Sequence, residues 1–359
     1  MRRSVGVMGT PSGKDFDGIT RVRPEELAGS LQGPERPILV DVRRPSERRW
    51  GWIPGDVSIP LEELPVRLAE IPRSRPVVLY SRDTAESEQA ARLLGSAGLT
   101  SVRLLEGGLD AYARTVDPTV GRYGSTPGGE GWVLWQIPRV ASGCLSYLLC
   151  DIASSEAVLV DPGVETDPYL ARLKEHGLRL KAIVETHTHA DHLSGHAELH
   201  ARTGAPIWLS RRSPAQYPHE RLADGDTLAL GERALSVLET PGHTSDHLTL
   251  RFEGLAFTGD TLLVGGCGRT DLGDGSPELL WESFQTKLLK LPDSTEVLPA
   301  HYGPRHGLPG RFSTFLGIER ATNEALAQPD WSSFKRYMEE GWPPKPADFD
   351  RIVATNLSR

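Results

Sequence analysis

The stretch Glu185-Thr186-His187-Thr188-His189-Ala190-Asp191-His192-Leu193-Ser194-Gly195 decides how the rest of this chain is read. It follows Leu180-Lys181-Ala182-Ile183-Val184, a short apolar run whose branched residues predict a buried strand. Three imidazoles and a carboxylate thus fall within six residues at the C-terminal end of that strand. In open α/β sheets this is the edge where ligands collect. Neutral imidazole is the commonest metal-binding side chain, and a carboxylate beside it adds hard oxygen character and charge. A single histidine would carry little weight, but this cluster reads as a metal site.

The same plan recurs downstream. Ala234–Leu238 reads as a strand and is followed by Pro241-Gly242-His243-Thr244. Leu255–Thr258 runs into Gly259-Asp260-Thr261, and Glu296–Pro299 into Ala300-His301-Tyr302-Gly303. Four strands, each delivering a metal-type residue at its end, bring widely separated side chains to one sheet edge.

Upstream, apolar runs at Pro37–Arg43, Arg75–Tyr80 and Ser101–Leu105 alternate with helical patterns that start at Pro24 and cover Ala85–Gly98. That alternation predicts a parallel sheet with helices on both faces. Residues 1–18 read as a loose lead-in, 19–118 as a first α/β domain, 119–131 as a Gly/Pro-rich linker and 132–359 as the metal-bearing domain. Within the last, Leu145–Cys150 and Ala157–Gly163 read as a hairpin and Asp167–Gly177 as a helix. From Thr314 a helical pattern (Ile318, Ala321, Ala325, Leu326), then Trp331–Met338 and a Pro-rich tail, predict a helical extension that closes one side of the pocket. Lys335, Arg336, Glu339 and Glu340 read as its solvated face.

Composition sets the outer bounds. A chain of 359 residues exceeds one ordinary core. A net charge of −8 argues against nucleic acid as the main partner. No apolar run is long enough for a bilayer, and Met1-Arg2-Arg3-Ser4-Val5-Gly6 leads into no apolar signal region. Three cysteines, Cys144, Cys150 and Cys267, fit a reducing cytoplasm, the expected location. Cys144 and Cys150 fall on one face of one strand, so small core residues are expected there rather than a disulfide.

Asp41-Val42-Arg43, Gly51-Trp52-Ile53-Pro54-Gly55-Asp56, Ile59-Pro60 and Leu105-Glu106-Gly107-Gly108-Leu109 resemble the rhodanese fold over residues 19–115. In that family the loop after the Val77–Tyr80 strand opens with a sulfur-carrying cysteine. Here the matching residue is Ser81, in Ser81-Arg82-Asp83-Thr84-Ala85-Glu86-Ser87. A hydroxyl forms no persulfide, and Asp83 and Glu86 oppose an anionic substrate. The resemblance therefore implies a catalytically silent rhodanese-like domain, acting as an interaction or dimerisation module.

The four strand-end motifs together resemble the metallo-β-lactamase superfamily, an αβ/βα sandwich. Its ligand sets match His187, His189, His243 and Asp260 for one ion and Asp191, His192, Asp260 and His301 for another. A narrower likeness rests on Gly259-Asp260-Thr261-Leu262-Leu263 with Gly265-Gly266-Cys267-Gly268-Arg269-Thr270-Asp271, on Ala157–Pro162, and on Pro343-Pro344-Lys345-Pro346 before Ile352-Val353-Ala354-Thr355-Asn356. These look like the persulfide dioxygenase subgroup. That implies one Fe(II) per chain on His187, His243 and Asp260, with His189, Asp191, His192 and His301 around it. It also implies a glutathione persulfide or similar low-molecular-weight persulfide, and O2, as the small-molecule partners, with sulfite and thiol as products. Arg269, Tyr302 and Cys267 are the expected substrate contacts, and a homodimer or other homo-oligomer the expected assembly. The alternative is a glyoxalase II-like hydrolase of glutathione thioesters, holding one or two Zn ions. Ser245-Asp246-His247 departs from the subgroup's small Pro-Gly turn and is expected to alter the pocket mouth, and His301-Tyr302-Gly303 is more compact than its usual His-Asp-Tyr.

Overall fold

The computed structural model describes residues 19–126, 129–139, 142–302, 312–339, 342 and 344–358. The expected lead-in (1–18), Pro127-Gly128 of the expected linker, Gly303, Glu340 and Pro343 lie outside them. The chain divides into two compact units between Tyr123 and Gly124.

In the first unit β1 (Thr20–Val22), β2 (Ile38–Asp41), β3 (Val57–Ser58), β4 (Val77–Tyr80) and β5 (Val102–Leu105) form one sheet in the order β1-β5-β4-β2-β3. Every pairing in it is parallel. Two apolar clusters use alternate residues of these strands: Val40, Val77 and Leu79 face one side, Leu39, Val78 and Tyr80 the other. A sheet buried on both faces reads as continuous apolar runs, as these strands do. The helix Ala85–Ser96 covers one face with Ala90, Ala91 and Leu94.

The second unit is a sandwich of two sheets. The first contains β6 (Arg122–Thr126), β7 (Gly129–Arg139), β8 (Cys144–Asp151), β9 (Glu156–Val160), β10 (Arg179–Val184), β11 (Ile207–Ser210) and β12 (Glu220–Leu222), running in order from β12 to β6. The second contains β13 (Thr227–Leu230), β14 (Arg233–Glu239), β15 (Leu248–Phe252), β16 (Leu255–Gly259), β17 (Glu296–Pro299) and β18 (Thr314–Phe315), also in sequence order. Val158, Val160, Ala182 and Val184 of one sheet meet Leu235, Val237, Phe257 and Leu298 of the other in the central core. Ala256 and Val297 point the opposite way, against Leu280, Phe284, Leu316, Phe334 and Met338 of the outer helices. Burying alternate residues on both faces makes the layers αβ/βα.

Two sequence expectations change. Much of the stretch expected as a linker is strand, because β6 and the start of β7 lie within it. β6 is the sheet's edge, where glycine and a polar pattern are tolerated and give a linker-like composition. The helix expected from Thr314 to Leu326 instead begins at Leu316, after β18, and ends at Thr322. Asn323, fully buried, accepts the amides of Ala325 and Leu326 and donates to Leu263 O and Gly266 O. Its side chain competes with the helical backbone and wins.

Candidate metal centre

β10, β14, β16 and β17 deliver their ligand-type residues to one end of the sandwich. His187, His243 and Asp260 come together there, with one donor atom from each within 4.8 Å of the others. His243 Nε2 lies 3.5 Å and His187 Nε2 4.0 Å from Asp260 Oδ2. Both rings have their tautomer fixed from behind. Thr186 Oγ1 gives its own proton to Asp161 Oδ2, so it accepts from His187 Nδ1 at 2.9 Å. His243 Nδ1 donates to Arg269 O at 2.7 Å. Each imidazole therefore turns an Nε2 lone pair toward Asp260, as a metal-ligating histidine must. Burial, with His189 and His247 beside it, pushes the His187 pKa well below its ordinary value and keeps the ring neutral.

Asp260 is held just as firmly. Burial alone would raise its carboxyl, but His301, then His243 and His187, hold it well below the usual carboxylate range. His301 Nδ1 donates to Oδ1 at 2.6 Å, so that oxygen is committed and only Oδ2 faces the two Nε2 atoms. Gly268 permits the approach. An added Cβ there would collide with Asp260 O and stand 2.9 Å from His243 Nδ1. Two imidazoles with free lone pairs and one carboxylate oxygen, buried at a strand edge, suit a divalent cation, so the residues fit a metal.

The other expected residues divide into two groups. His189 turns Nε2 to Asp161 Oδ1 (3.2 Å) and Glu185 Oε2 (3.0 Å), leaving a buried Nδ1 with no partner among the described residues. Asp191, His192 and His301 gather instead around Cys144. Its Sγ is 2.9 Å from Asp191 Oδ2, 3.4 Å from His301 Nε2 and 3.8 Å from His192 Nδ1. Burial would raise this thiol, but the two imidazoles pull its pKa down to about 6. Cys144 was expected as a core residue. The available signal was that it opens β8, and an isolated bridge pairs it with His301.

Two of the expected substrate contacts, Arg269 and Cys267, turn their side chains to other partners. The guanidinium of Arg269 is bidentate on Asp271 through Nε and Nη2, at 2.7 Å for each bond. The Cys267 thiol points at Met338 Sδ, 3.7 Å away, inside the helix-facing core, and burial lifts its pKa to about 12. Tyr302 packs on Phe312 with ring centroids 4.8 Å apart. A small cleft opens beside the metal loop, lined by Glu185, His187, His189, His196, Tyr217 and Asn356 among others, and by none of these three.

His247 faces inward, while Asp246 is among the residues that line the cleft. Asp246 Oδ2 accepts from Thr188 Oγ1 at 2.6 Å and braces the loop. His247, neutral because burial and His243 lower its pKa to about 3, accepts the Asp260 amide at 3.0 Å. A further unexpected brace is Asn356, from the C-terminal helix Phe349–Ser358. Its Nδ2 donates to His189 O (3.0 Å) and His192 O (2.9 Å), and its Oδ1 accepts from Ser194 N (3.0 Å).

In the first unit, Ser81 is buried at the mouth of the helix Ala85–Ser96, its hydroxyl 3.3 Å from Ser87 Oγ. Asp83 Oδ1 accepts the amides of Thr84 and Ala85, so the loop's own carboxylate takes donors that an anion would need. Glu86 lies in the first turn, its carboxyl raised by burial and by Glu47. Arg82 contacts Asp83.

A sandwich carrying this edge of imidazoles and carboxylates defines a class, and the metallo-β-lactamase superfamily model matches residues 139–301, while a rhodanese-like domain model matches 23–115. The chain belongs to the metallo-β-lactamase superfamily and carries a rhodanese-like domain ahead of it. Within that superfamily it is related to the persulfide dioxygenases. It is 39% identical to human mitochondrial persulfide dioxygenase ETHE1 over 239 residues, which is 65% of this chain and 91% of that protein. The crystal structure of ETHE1 from Myxococcus xanthus superposes with a TM-score of 0.60 at 34% identity, covering 63% of this chain and 98% of that one. A hydroxyacylglutathione hydrolase from Cereibacter sphaeroides is 40% identical over 221 residues, 59% of this chain and 83% of the hydrolase. Among the described residues no helix is long and apolar enough to cross a membrane.

Proposed function

We propose that the chain is a non-haem Fe(II) persulfide dioxygenase, converting glutathione persulfide or a similar small persulfide, with O2 and water, to sulfite and the thiol. The observation that carries this reading is the commitment of Asp260 Oδ1 to His301, which leaves one carboxylate oxygen and two Nε2 atoms as a three-donor face. Such a face leaves coordination positions open for two further molecules. When bound there, iron supplies a centre at which a soft sulfur donor and dioxygen meet and exchange electrons. The sulfane sulfur is oxidised, O2 is reduced, and water supplies the third oxygen of sulfite.

The protein's part is to hold and orient. Thr186 and the Arg269 carbonyl fix the two ligand rings, and His247 and His301 fix Asp260. His189, Asp191, His192 and Asn356 keep the loop in place. We also propose that the rhodanese-like unit is non-catalytic and serves as an interaction or dimerisation module, because Ser81 replaces the sulfur carrier and Asp83 occupies loop amides.

The hydrolase relatives support a second reading, in which two metal ions activate water against a glutathione thioester. Anaerobic purification with metal analysis, followed by O2 uptake on glutathione persulfide and hydrolysis of lactoylglutathione, separates the two. One iron and O2 uptake are expected; two zinc ions with thioester cleavage would replace the dioxygenase by the hydrolase.

A further inference from the structure

The groups a second ion would need are all present, and each is already engaged. Asp191 Oδ2 lies 2.8 Å from His301 Nε2 and 2.9 Å from Cys144 Sγ. His192 Nδ1 is 3.1 Å from Asp191 Oδ1, which leaves His192 Nε2. Arg139 Nη2 lies 3.1 Å from that nitrogen. A guanidinium is donor only and stays charged, so His192 Nε2 must be the acceptor, and its lone pair meets an N–H.

Arg139 is held in this position by several contacts. Its Nη1 donates to Ser146 Oγ and, at 3.2 Å, to Asp161 O, and stands 3.5 Å from Tyr169 Oη. Gly163 clears the slot: an added Cβ would collide with Arg139 Cδ and come within 2.9 Å of Nε. The residue sits at the end of β7, three positions before Ser142, whose amide bonds its carbonyl.

We infer that Arg139 is the positioning residue that keeps this centre at one ion, by taking the His192 lone pair and setting a fixed positive charge beside the second set of donors. This rests on the mononuclear reading above and adds its cause. A second divalent cation that used His192 Nε2 would have to displace the guanidinium from it, and one held by Cys144, Asp191 and His192 Nδ1 would sit beside the same charge, so both are opposed.

The test counts ions and needs no turnover. Metal-free full-length protein is titrated with Zn(II) by calorimetry, and bound zinc is measured after gel filtration. Wild type is expected to bind one equivalent and R139M two, the second at least tenfold tighter than any second binding to wild type. R139M that stops at one equivalent, with its first site intact and its unfolding cooperative, overturns the inference while leaving the mononuclear reading standing. Two equivalents in wild type would sink that reading and this inference together. Should R139M fail to fold, G163A displaces the same guanidinium with a single methyl: two equivalents support the inference, and one overturns it.

Discussion

Asn356 is the side chain through which the C-terminal helix grips the metal loop, and removing it gives a sharp test of how the site is held. N356A deletes two donors, to His189 O and His192 O, and the acceptor of the Ser194 amide. Each bond contributes about 1 kcal/mol net, and a buried group left without a partner costs about 1–3 kcal/mol. Partial rehydration from the adjacent cleft offsets some of that, so a loss of about 3 kcal/mol is expected. For a domain of this size that is roughly 6–12 °C in Tm, at about 2–4 °C per kcal/mol. Because the carbonyls it holds belong to the loop that begins at His187, metal affinity should also fall, by about 10–100-fold. N356D should be worse than N356A, since it places a carboxylate against two carbonyl oxygens. Calorimetric melts with and without metal, plus anaerobic Co(II) titration, read both effects. A Tm within about 2 °C of wild type and unchanged Co(II) affinity would refute the idea that this helix positions the loop.

Three further outcomes follow from the geometry. D260N keeps a hydrogen-bond acceptor for His301 but loses the charged ligand, so iron content of the purified protein should fall to about a tenth of wild type or less; full iron occupancy would remove Asp260 from the ligand set. The Cys144 thiol, with its pKa near 6, should give a thiolate absorbance step at 240 nm between pH 5 and 7, absent in C144A. A group with a lowered pKa is charged above that value and neutral below it, so the signal rises with pH; Cys267, at about 12, stays silent over that range. In the first unit, S81C alone should leave thiosulfate-to-cyanide transfer at background, because Asp83 still holds the amides of Thr84 and Ala85. Turnover by S81C without a change at Asp83 would show that the loop was merely missing its sulfur.

The sandwich and its ligand edge were legible because both are written in local order: apolar strands with a ligand-type residue at each end. Local order named the whole set of strand-end candidates; the resemblance to the persulfide dioxygenase subgroup singled out His187, His243 and Asp260, whose donor atoms lie within 4.8 Å of one another. What escaped was set by partners distant in sequence. Cys144 and Arg139 look like core and surface until β7 and β8 bring them against His192 and His301. Arg269 looked like a free cation, but its Nε and Nη2 are bidentate on Asp271, two residues on. Ser245-Asp246-His247 suggested a changed mouth; Asp246 does line the cleft while accepting from the Thr188 hydroxyl, and His247 points inward to the Asp260 amide. The strand β6 was hidden because an edge strand can be built from glycine and polar residues.

This chain is similar to a hydrolase as well as to dioxygenases, and its H-x-H-x-D-H run leaves the ion count unsaid. A carboxylate that bridges two ions through both of its oxygens needs both of them available. Here Asp260 Oδ1 is taken by a proton on His301 Nδ1, and His301 Nε2 is turned to Asp191 at 2.8 Å. On the mononuclear reading proposed above, protons on His301 and the Arg139 guanidinium take the place of a second ion's charge beside Asp191 and Asp260. Replacing an ion by protein-borne positive charge changes no residue of the H-x-H-x-D-H run, so that run cannot report the ion count. On the inference drawn above, what sets the ion count in this chain is Arg139, outside the motif, through the His192 lone pair it occupies.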